Sequence, residues 1–394
     1  MNLNDLLKVA IERKASDLHL KVGSHPVVRV DGELQPLPDF KRLMQEDSVS
    51  MAFSIMNTRQ KQRFKEEFEI DIAYSVPGLG RFRCNIFQQR GSVGLVLRVI
   101  PARILTLREL LLPKVLETLC LERRGLMLCT GTTGSGKSTT LAGMIDHINS
   151  NRLEHIITIE DPIEFLHRDK KSIVNQREVE VDTRGFAPAM RVALRQDPDV
   201  ILVGEMRDYE TIETALLAAE TGHLVLSTLH TLDATETINR VISVFPPHQQ
   251  KQVRLQLGAV LKAIVSMRLV PRKDGNGRVP AVEVLRSTAY IRDCVENKEK
   301  TKMIATAIAA GTSQYGMQTF DQSLYNLYKS DLISYEEALR QATNPDEFKL
   351  KVAGIQSASD MATESMEAML HDAQPGSSGN DPRDPESPFE FSNS

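Results

Sequence analysis

One short motif constrains this chain more than any other feature. Residues 131–138 fit the G-x-x-x-x-G-K-[ST] pattern of a phosphate-binding loop and directly follow the apolar stretch Gly125–Thr130. The glycines let the backbone form a nest of N–H donors, Lys137 supplies a cation, and the Ser138 hydroxyl is a potential ligand for Mg²⁺. A helix-forming stretch comes next, so a helix N-terminus also faces the phosphates. The motif predicts binding of a nucleoside triphosphate by Gly131, Thr132, Thr133, Gly134, Ser135, Gly136, Lys137, Ser138 and Thr139.

Length and composition are those of an ordinary globular protein. The chain has 394 residues, of which 41% are hydrophobic and 25% charged, so we expect two or three domains. No apolar run approaches the roughly 18 residues of a membrane helix, and the N-terminus lacks the layout of a signal peptide. We therefore expect a cytoplasmic protein without a membrane span.

Cysteine spacing and charge argue against two further classes. No two cysteines form a C-x-x-C pair, which argues against a zinc site and a disulfide framework and predicts reduced, structural residues at Cys84, Cys120, Cys129 and Cys294. The formal net charge is −4, but residues 356–394 hold eight acidic residues and one basic residue, which leaves a nearly neutral body. Such a body gives no electrostatic reason to expect a nucleic-acid partner.

Changes in sequence pattern divide the chain into five segments. Residues 1–100 combine helical and strand patterns in a small α+β domain, and residues 101–112 form a linker. In residues 113–286, apolar strands alternate with amphipathic helices, which is typical of a parallel sheet with helices on both faces. Residues 287–355 are helical. The composition of residues 356–394 shifts to Ser, Asp, Pro and Gly and predicts a disordered acidic tail.

Carboxylates follow two of the predicted strands. The strand Ile156–Ile159 ends in the acidic segment Glu160–Glu164. The strand Val200–Val203 is followed by Glu205, which has the form of a Walker B motif with Glu in place of the more usual Asp. Ligands of open α/β sheets bind at the carboxyl ends of the strands, and phosphoryl transfer needs Mg²⁺ and an oriented water there. The predicted Mg²⁺ ligands are Ser138, Glu160 and Glu205, and the candidate catalytic carboxylates are Glu164 and Glu205.

Two histidines flank a third predicted strand, Leu224–Leu229. A lone histidine is more often a packing or surface residue than a catalytic one. His230, at the strand end beside the nucleotide, is nevertheless a candidate γ-phosphate sensor, because its hydrogen bond would exist with the triphosphate and be lost with the diphosphate. His223, at the other end, is a weaker candidate.

Taken together, the motifs in residues 131–138, 159–164, 194–208 and 221–231 resemble those of the secretion ATPases of type II secretion and type IV pili. In that family these segments are the Walker A motif, Asp box, Walker B motif and His box. The N-terminal segments 15–20 and 29–32 are similar to the PAS-like domain of the pilus retraction branch. The resemblance implies an α/β fold, with a PAS-like α+β domain followed by a RecA-like P-loop ATPase domain and C-terminal helices.

Three features favour the retraction branch. The chain starts close to the PAS-like domain without a long extension, it lacks a tetracysteine insertion, and Gly316–Asp321 is similar to the C-terminal region of that branch. The retraction motif A-I-R-x-x-I reads here as the segment 290–295, in which Arg292 is kept but Tyr290 replaces Ala. An accessory paralogue of the retraction motor would share the other features, so both interpretations stay open.

The resemblance also implies partners and a role for arginines. It implies a homohexamer that binds ATP and Mg²⁺ between subunits and acts on an inner-membrane pilus platform protein from the cytoplasmic face of the membrane. A paralogous retraction ATPase is a further possible partner. Arg81 and Arg83 occupy alternate strand positions and so share one face of the N-terminal sheet. By analogy with the family they reach the phosphates as the domains close, with Arg98 a weaker candidate.

We therefore predict an ATP-hydrolysing motor for pilus retraction, with Lys137, Ser138, Glu164, Glu205, His230 and the two arginines Arg81 and Arg83 as working residues. The sequence leaves open which of the two glutamates activates water. Alternatives are an accessory retraction ATPase, a pilus assembly or secretion ATPase, and a regulatory subunit with little hydrolysis of its own. A RecA-like nucleic-acid translocase is disfavoured by the nearly neutral body.

Overall fold

The computed structural model describes residues 2–30, 32–100 and 103–355. Three predictions extend outside the described residues: the acidic tail over 356–394, the first two residues of the linker, and Asp31 in the N-terminal segment. No helix in the described ranges combines the length and hydropathy that a membrane crossing requires.

An antiparallel sheet of six strands organises the N-terminal domain. The strand order is β3-β2-β1-β6-β5-β4, and Leu6, Leu18, Phe82 and Leu97 lie in the core that helices and sheet share. The elements are α1 Leu3–Glu12, β1 Asp17–Leu20, β2 Val27–Val30, β3 Glu33–Pro36, α2 Gln45–Ile55, α3 Thr58–Glu67, β4 Glu69–Val76, β5 Gly80–Gln89 and β6 Ser92–Ile100.

A sheet of seven strands organises the second domain, in the order β13-β12-β7-β11-β10-β8-β9. Its first part contains α4 Val115–Leu119, β7 Gly125–Thr130, α5 Lys137–Asn151, β8 His155–Glu160, β9 Ile173–Glu178, α6 Phe186–Ala193 and β10 Val200–Val203. It continues with α7 Tyr209–Glu220, β11 Leu224–Leu229, α8 Ala234–Ser243, α9 Gln250–Val260, β12 Leu261–Pro271 and β13 Arg278–Arg286.

Alternation along the buried strands gives this sheet two apolar faces. In β7, Leu126 and Leu128 pack into the core formed with α6 to α9, whereas Met127 and Cys129 pack into the core formed with α4 and α5. Helices therefore cover both faces, as the sequence predicts. Burial raises the pKa of the Cys129 thiol to about 12, against the opposing effect of the Lys137 charge, so this cysteine is an inert core residue.

The two edges of this sheet differ from a simple alternation of strands and helices. β13 runs antiparallel to β12, because the tight loop 272–277 reverses the chain without a helix. β9 forms the other edge and is mostly polar, so the apolar pattern of the sequence did not reveal it. The remaining five strand pairs are parallel.

The C-terminal region is helical and packs on the second domain. Arg268 of β12 stacks over the Phe320 ring at 3.9 Å and donates a hydrogen bond to the Gln341 carbonyl oxygen at 3.0 Å. The helices are α10 Ala289–Glu296, a 3-10 helix Lys298–Met303, α11 Ile304–Ala310, α12 Thr312–Tyr315, α13 Phe320–Lys329, α14 Tyr335–Gln341 and α15 Pro345–Val352. These features confirm the fold class predicted from the sequence, and the domain boundaries stay predictions.

Candidate functional site

The predicted phosphate loop connects β7 to α5, as its sequence requires. Gly131 has φ 142°, and a Cβ on it would lie 2.5 Å from the Met267 carbonyl oxygen of β12. Gly136, with φ 97°, is the residue before the first turn of α5. Both positions need glycine, the first for space and conformation and the second for its left-handed backbone. The loop therefore lies tightly against β12 and directs the N-terminus of α5 toward a cavity.

Lys137 lies over its own loop. Its ammonium group donates hydrogen bonds to the carbonyl oxygens of Gly131 at 2.8 Å and Thr132 at 2.9 Å. The side chain is buried, and desolvation lowers the pKa of the ammonium group, while the negative charges of Glu164 and Glu205 oppose this shift. These two carbonyl contacts are weaker partners than an anion, so the lysine is poised to exchange them for phosphate oxygens.

The ends of three neighbouring strands meet beside the loop. The backbone N–H of Gly204, after β10, donates to the Ile159 carbonyl oxygen of β8 at 2.8 Å. The hydroxyl of Thr228 in β11 donates to the Gly204 carbonyl oxygen at 2.7 Å. The resulting cavity has a volume of about 680 Å³, and the predicted site residues that line it are Thr133, Gly134, Gly136, Lys137, Ser138, Thr139, Glu160, Glu164, Glu205, His230 and Arg83.

Glu205 and His230 come together in this cavity. The His230 Nε2 atom lies 3.5 Å from a Glu205 carboxylate oxygen, and the Arg207 Nε atom lies 2.8 Å from the other. The Glu205 side chain is largely buried, whereas those of His230 and Arg207 are exposed. The carboxylate is thus held between two polar groups of loops that follow adjacent strands.

Two hydrogen bonds fix the Glu160 carboxylate. Its Oε1 atom accepts from the Thr158 hydroxyl at 2.7 Å and from the Gln176 amide at 3.0 Å. Desolvation raises the pKa of this carboxyl despite those bonds. Gln176 also donates to the Phe165 carbonyl oxygen at 2.9 Å, so this residue of the edge strand fixes the segment that carries both Glu160 and Glu164.

The side chains of the cavity fit Mg²⁺ bound together with a nucleotide. Within residues 2–30, 32–100 and 103–355, no three His, Cys, Asp or Glu side chains converge in a geometry that would hold a metal ion by themselves. Mg²⁺ bound with a nucleotide takes few protein ligands, with phosphates and waters filling the rest of its octahedron. Ser138, Glu160 and Glu205 line one cavity and offer such a hard-oxygen set.

Two arginines of the N-terminal domain line the same cavity. Arg83 of β5 and Arg98 of β6 are directly opposite each other in the strand register. Like charges in this position destabilise a sheet, and each arginine here has one carboxylate nearby. Asp17 lies 3.0 Å from Arg98, and Asp71 lies 3.7 Å from Arg83. The arrangement is favourable for an anion bound in the cavity.

Arg81 makes a different contact. It pairs with Glu178 at the end of β9, and Glu178 in turn accepts a hydrogen bond from the Ile163 backbone N–H at 3.1 Å. Arg81 is not among the side chains that line the 680 Å³ cavity. A second, exposed pair between the same domains joins Arg63 to Glu180 at 2.7 Å. The structure thus connects Arg81 to the Glu160–Glu164 segment, and its predicted contact with phosphates stays a prediction.

A second cavity of about 460 Å³ adjoins the first through the phosphate loop. Both cavities share Gly136, Thr139, Leu269 and Arg278. The second is mainly apolar on the side of the linker, where its walls are Leu105, Leu110, Leu111 and Leu112. An apolar cavity next to one lined by charged side chains matches the division of a nucleotide into base and phosphates.

Sequence reasoning missed several residues of this site. Gln176 and Glu178 lie on a polar edge strand, and Arg278 begins the antiparallel strand, so no local motif marked them. Their proximity to the cavity comes only from strand order. His223, the weaker histidine candidate, lies at the start of β11, and its Nδ1 atom is 2.9 Å from the Ala218 carbonyl oxygen. That is the opposite end of the strand from the phosphate loop.

Comparison with known proteins identifies the family. Residues 1–351 match the family described as Type II/IV secretion system protein. The chain belongs to this family. It is 47% identical over 348 residues to the type IV pilus retraction ATPase PilT of Pseudomonas aeruginosa, with 88% of this chain and 100% of that protein covered.

Two further comparisons refine this membership of the Type II/IV secretion system family. The type IV pilus ATPase PilU of P. aeruginosa is 42% identical over 352 residues, which cover 89% of this chain and 91% of PilU. A crystal structure of the pilus retraction motor PilT with bound ADP superposes with a TM-score of 0.82 at 49% identity, covering 88% of this chain and 98% of that one. The family resemblance predicted from the motifs is confirmed.

Proposed function

We propose that this chain is an ATP-hydrolysing motor that drives type IV pilus retraction. The observation that carries the proposal is the 47% identity to PilT of P. aeruginosa over the whole length of that retraction ATPase. The cavity beside Lys137 supports it independently, because a phosphate loop, carboxylates and cationic side chains converge there. The residues of this cavity account for ATP binding and hydrolysis, whereas the mechanical output is inferred from the similarity to PilT.

ATP binds across both cavities in this proposal. The backbone N–H groups of the loop and Lys137 hold the β- and γ-phosphates, and the N-terminus of α5 adds its dipole. The base lies in the adjoining cavity, against the leucines of the linker. Ser138, Glu160 and Glu205 would hold Mg²⁺, which when bound neutralises charge on the β- and γ-phosphates.

Hydrolysis needs a positioned water and stabilised transition-state charge. Glu164 and Glu205 are the candidates to orient the water, since both line the 680 Å³ cavity beside the loop. His230 contacts Glu205 at 3.5 Å, so a change at the γ-phosphate can alter the position of this candidate carboxylate. Arg83 and Arg98 contribute positive charge from the N-terminal domain, which links hydrolysis to movement of that domain.

The assembly and the location follow the family. We infer a homohexamer that acts on a pilus platform protein of the inner membrane, from the cytoplasmic face. Such a motor converts the rigid-body movement of its two domains into work on the platform protein. The proposal assigns no role to nucleic acid.

An accessory retraction ATPase is the second candidate. The 42% identity to PilU over 352 residues favours it, as does Tyr290 in place of the Ala of the retraction motif. An accessory ATPase would work within or beside the ring of a paralogous retraction motor. Both candidates share the nucleotide site, so only a cellular experiment separates them.

The biochemical test measures steady-state ATP turnover by the purified full chain. Lys137→Ala should abolish turnover and leave the thermal unfolding temperature within a few degrees of the wild type. Lys8→Ala, at an exposed position of α1, is the matched control and should turn over ATP normally. Unchanged turnover in the Lys137 variant would contradict the site assignment.

The cellular test deletes the gene in its native host and counts surface pili while surface motility is recorded. Many pili on non-motile cells would support retraction, provided that a Glu205→Ala copy does not restore motility and a wild-type copy does. Cells without pili would indicate an assembly motor. Near-normal pili and motility would favour the accessory candidate.

A further inference from the structure

A row of buried polar residues crosses three strands next to the phosphate loop. Thr130 of β7, Ser266 of β12 and Glu283 of β13 are register partners in consecutive strands. The Thr130 hydroxyl donates to the Ser266 oxygen at 2.9 Å, and all three side chains are buried. Thr130 is the last residue before the loop, so the row starts at the base of the phosphate site.

Glu283 connects this row to the helix that follows the His box. Its Oε1 atom accepts a hydrogen bond from the backbone N–H of Ala234, the first residue of α8, at 2.8 Å. Asp233 accepts from the Glu236 N–H at 2.7 Å. The start of α8 is therefore capped twice, once by its own N-cap residue and once by a side chain of a distant strand.

The turn between His230 and α8 is short and fastened. The hydroxyls of Thr231 and Thr237 are 2.6 Å apart, and the Thr237 hydroxyl lies 2.6 Å from the Asp233 carbonyl oxygen. Both threonines are buried. These bonds couple the first turn of α8 to Thr231, the residue that directly follows His230.

The carboxyl group of Glu283 is buried, and its desolvation destabilises the fold. Burial, together with the Asp233 charge, raises its pKa to about 7, although the hydrogen bond from the Ala234 N–H, the Arg268 charge and hydrogen bonding from Ser266 oppose this shift. An apolar residue of the same size would avoid this desolvation cost, so the carboxyl needs a compensating contact. The Ala234 N–H is that contact, and an apolar side chain cannot accept from it.

We propose that Glu283 is a positioning residue that fixes His230 relative to the phosphate loop, by tying the start of α8 to the strand row that ends at Thr130. The inference rests on the proposed ATP hydrolysis. Glu283 does not line the 680 Å³ cavity and acts through the helix start and the His box. Its loss displaces a group that acts during hydrolysis, so turnover changes more than the binding of ATP.

Three variants of the full chain test this role. Glu283→Leu removes the acceptor, and we expect kcat to fall by about tenfold or more with KM for ATP within about threefold. Glu283→Gln keeps an acceptor for the Ala234 N–H and should retain kcat within about twofold. Ser323→Ala is the matched control, because Ser323 accepts from the adjacent Val282 N–H of β13 at 3.0 Å. That variant should lower stability and leave kcat unchanged.

A double-mutant cycle separates positioning from a general loss of structure. In a His230→Ala background, Glu283→Leu should lower kcat by less than about twofold further, since both changes remove the same interaction. Independent, multiplicative losses would overturn the proposal, as would wild-type kcat in Glu283→Leu or equal losses in the Ser323 control. If the wild-type chain binds ATP without hydrolysing it, the proposed function itself fails. In the other outcomes the wild type hydrolyses ATP and only the positioning role of Glu283 fails, so the two failures are distinguishable.

Discussion

The Arg81 guanidinium forms an ion pair with the Glu178 carboxylate, and this pair joins the N-terminal domain to the edge strand of the ATPase sheet. Glu178 is 4% exposed and Arg81 16% exposed, so solvent screens the pair weakly. Glu178 also accepts a hydrogen bond from the Ile163 N–H. Arg81 of the N-terminal domain is therefore connected, through Glu178, to the segment that carries Glu164. A movement of the N-terminal domain can therefore displace the acidic segment Glu160–Glu164 through this connection.

This pair predicts an asymmetric effect of single substitutions. Arg81→Ala leaves a buried carboxylate without its cation and should destabilise the protein by about 3 kcal/mol. Adding Glu178→Gln should recover part of that loss, because the amide still accepts from Ile163 and carries no charge. Urea unfolding of the single and double variants measures the coupling. The exposed pair Arg63–Glu180 is the control and should couple by less than about 1 kcal/mol.

The same two variants separate two roles for Arg81. If Arg81 acts through Glu178, Glu178→Gln should lower ATP turnover about as much as Arg81→Ala does. If Arg81 instead reaches the phosphates, as the family resemblance implies, only the arginine variant should be slow. Steady-state kcat of both variants, compared with that of Arg63→Ala, decides between these roles.

The neighbouring arginines predict a trade between stability and turnover. Arg83→Ala and Arg98→Ala each remove one of two like charges that face each other across β5 and β6. We expect Arg83→Ala to leave the free energy of unfolding unchanged or slightly higher and to lower kcat by about tenfold or more. Arg98→Ala should lower kcat too. It should also lower the free energy of unfolding, because the largely buried Asp17 loses its cationic partner. A faster or unchanged Arg83 variant would remove this residue from the mechanism.

The two candidate water-activating glutamates give different predictions. The variant of the residue that orients the water should bind ATP normally and lose turnover by about a hundredfold or more. Glu205→Gln should also weaken the contacts of this side chain with His230 and Arg207. If only Glu164→Gln loses turnover, Glu164 is the residue that activates the water. Single-turnover hydrolysis alongside equilibrium ATP binding makes the distinction. Equal, small effects in both variants would contradict a carboxylate base.

Glu283 predicts how stability depends on pH. Burial raises its pKa to about 7 in the folded protein, against 4.5 for an ordinary glutamate. Between these values the folded state holds one proton more than the unfolded state, so this group lowers stability as pH rises toward 7. Glu283→Gln cannot lose a proton. Its advantage over the wild type should therefore grow from about pH 5 and level off above about pH 7, at no more than about 3 kcal/mol.

Urea unfolding of both proteins across this pH range tests the sign. Asp233 and Arg268 face the group in either protein, so the difference between the two curves isolates Glu283. Glu12→Gln, on the exposed side of α1, should show no such dependence. A difference between the two curves that stays constant from pH 5 to pH 7 would contradict this, because it would mean that the carboxyl is already ionised in the folded protein at pH 5.

The sequence by itself determined the fold class, the family and the phosphate loop. Short stretches of sequence carry this information. The spacing of Gly131, Gly136 and Lys137 is that of a phosphate-binding loop, and apolar runs such as Val200–Val203 predict buried strands. The proximity of Glu205 and His230 was also within reach, because parallel strands end at one edge of their sheet.

Only the tertiary structure decided which distant residues meet. The contact of Arg81 with Glu178 joins two domains, and the row from Thr130 to Glu283 depends on an antiparallel strand whose register no local pattern encodes. Charged and polar side chains find their partners through strand order and domain orientation. Hydrophobic periodicity reports which face of an element is buried, and it carries no information about which charge lies opposite.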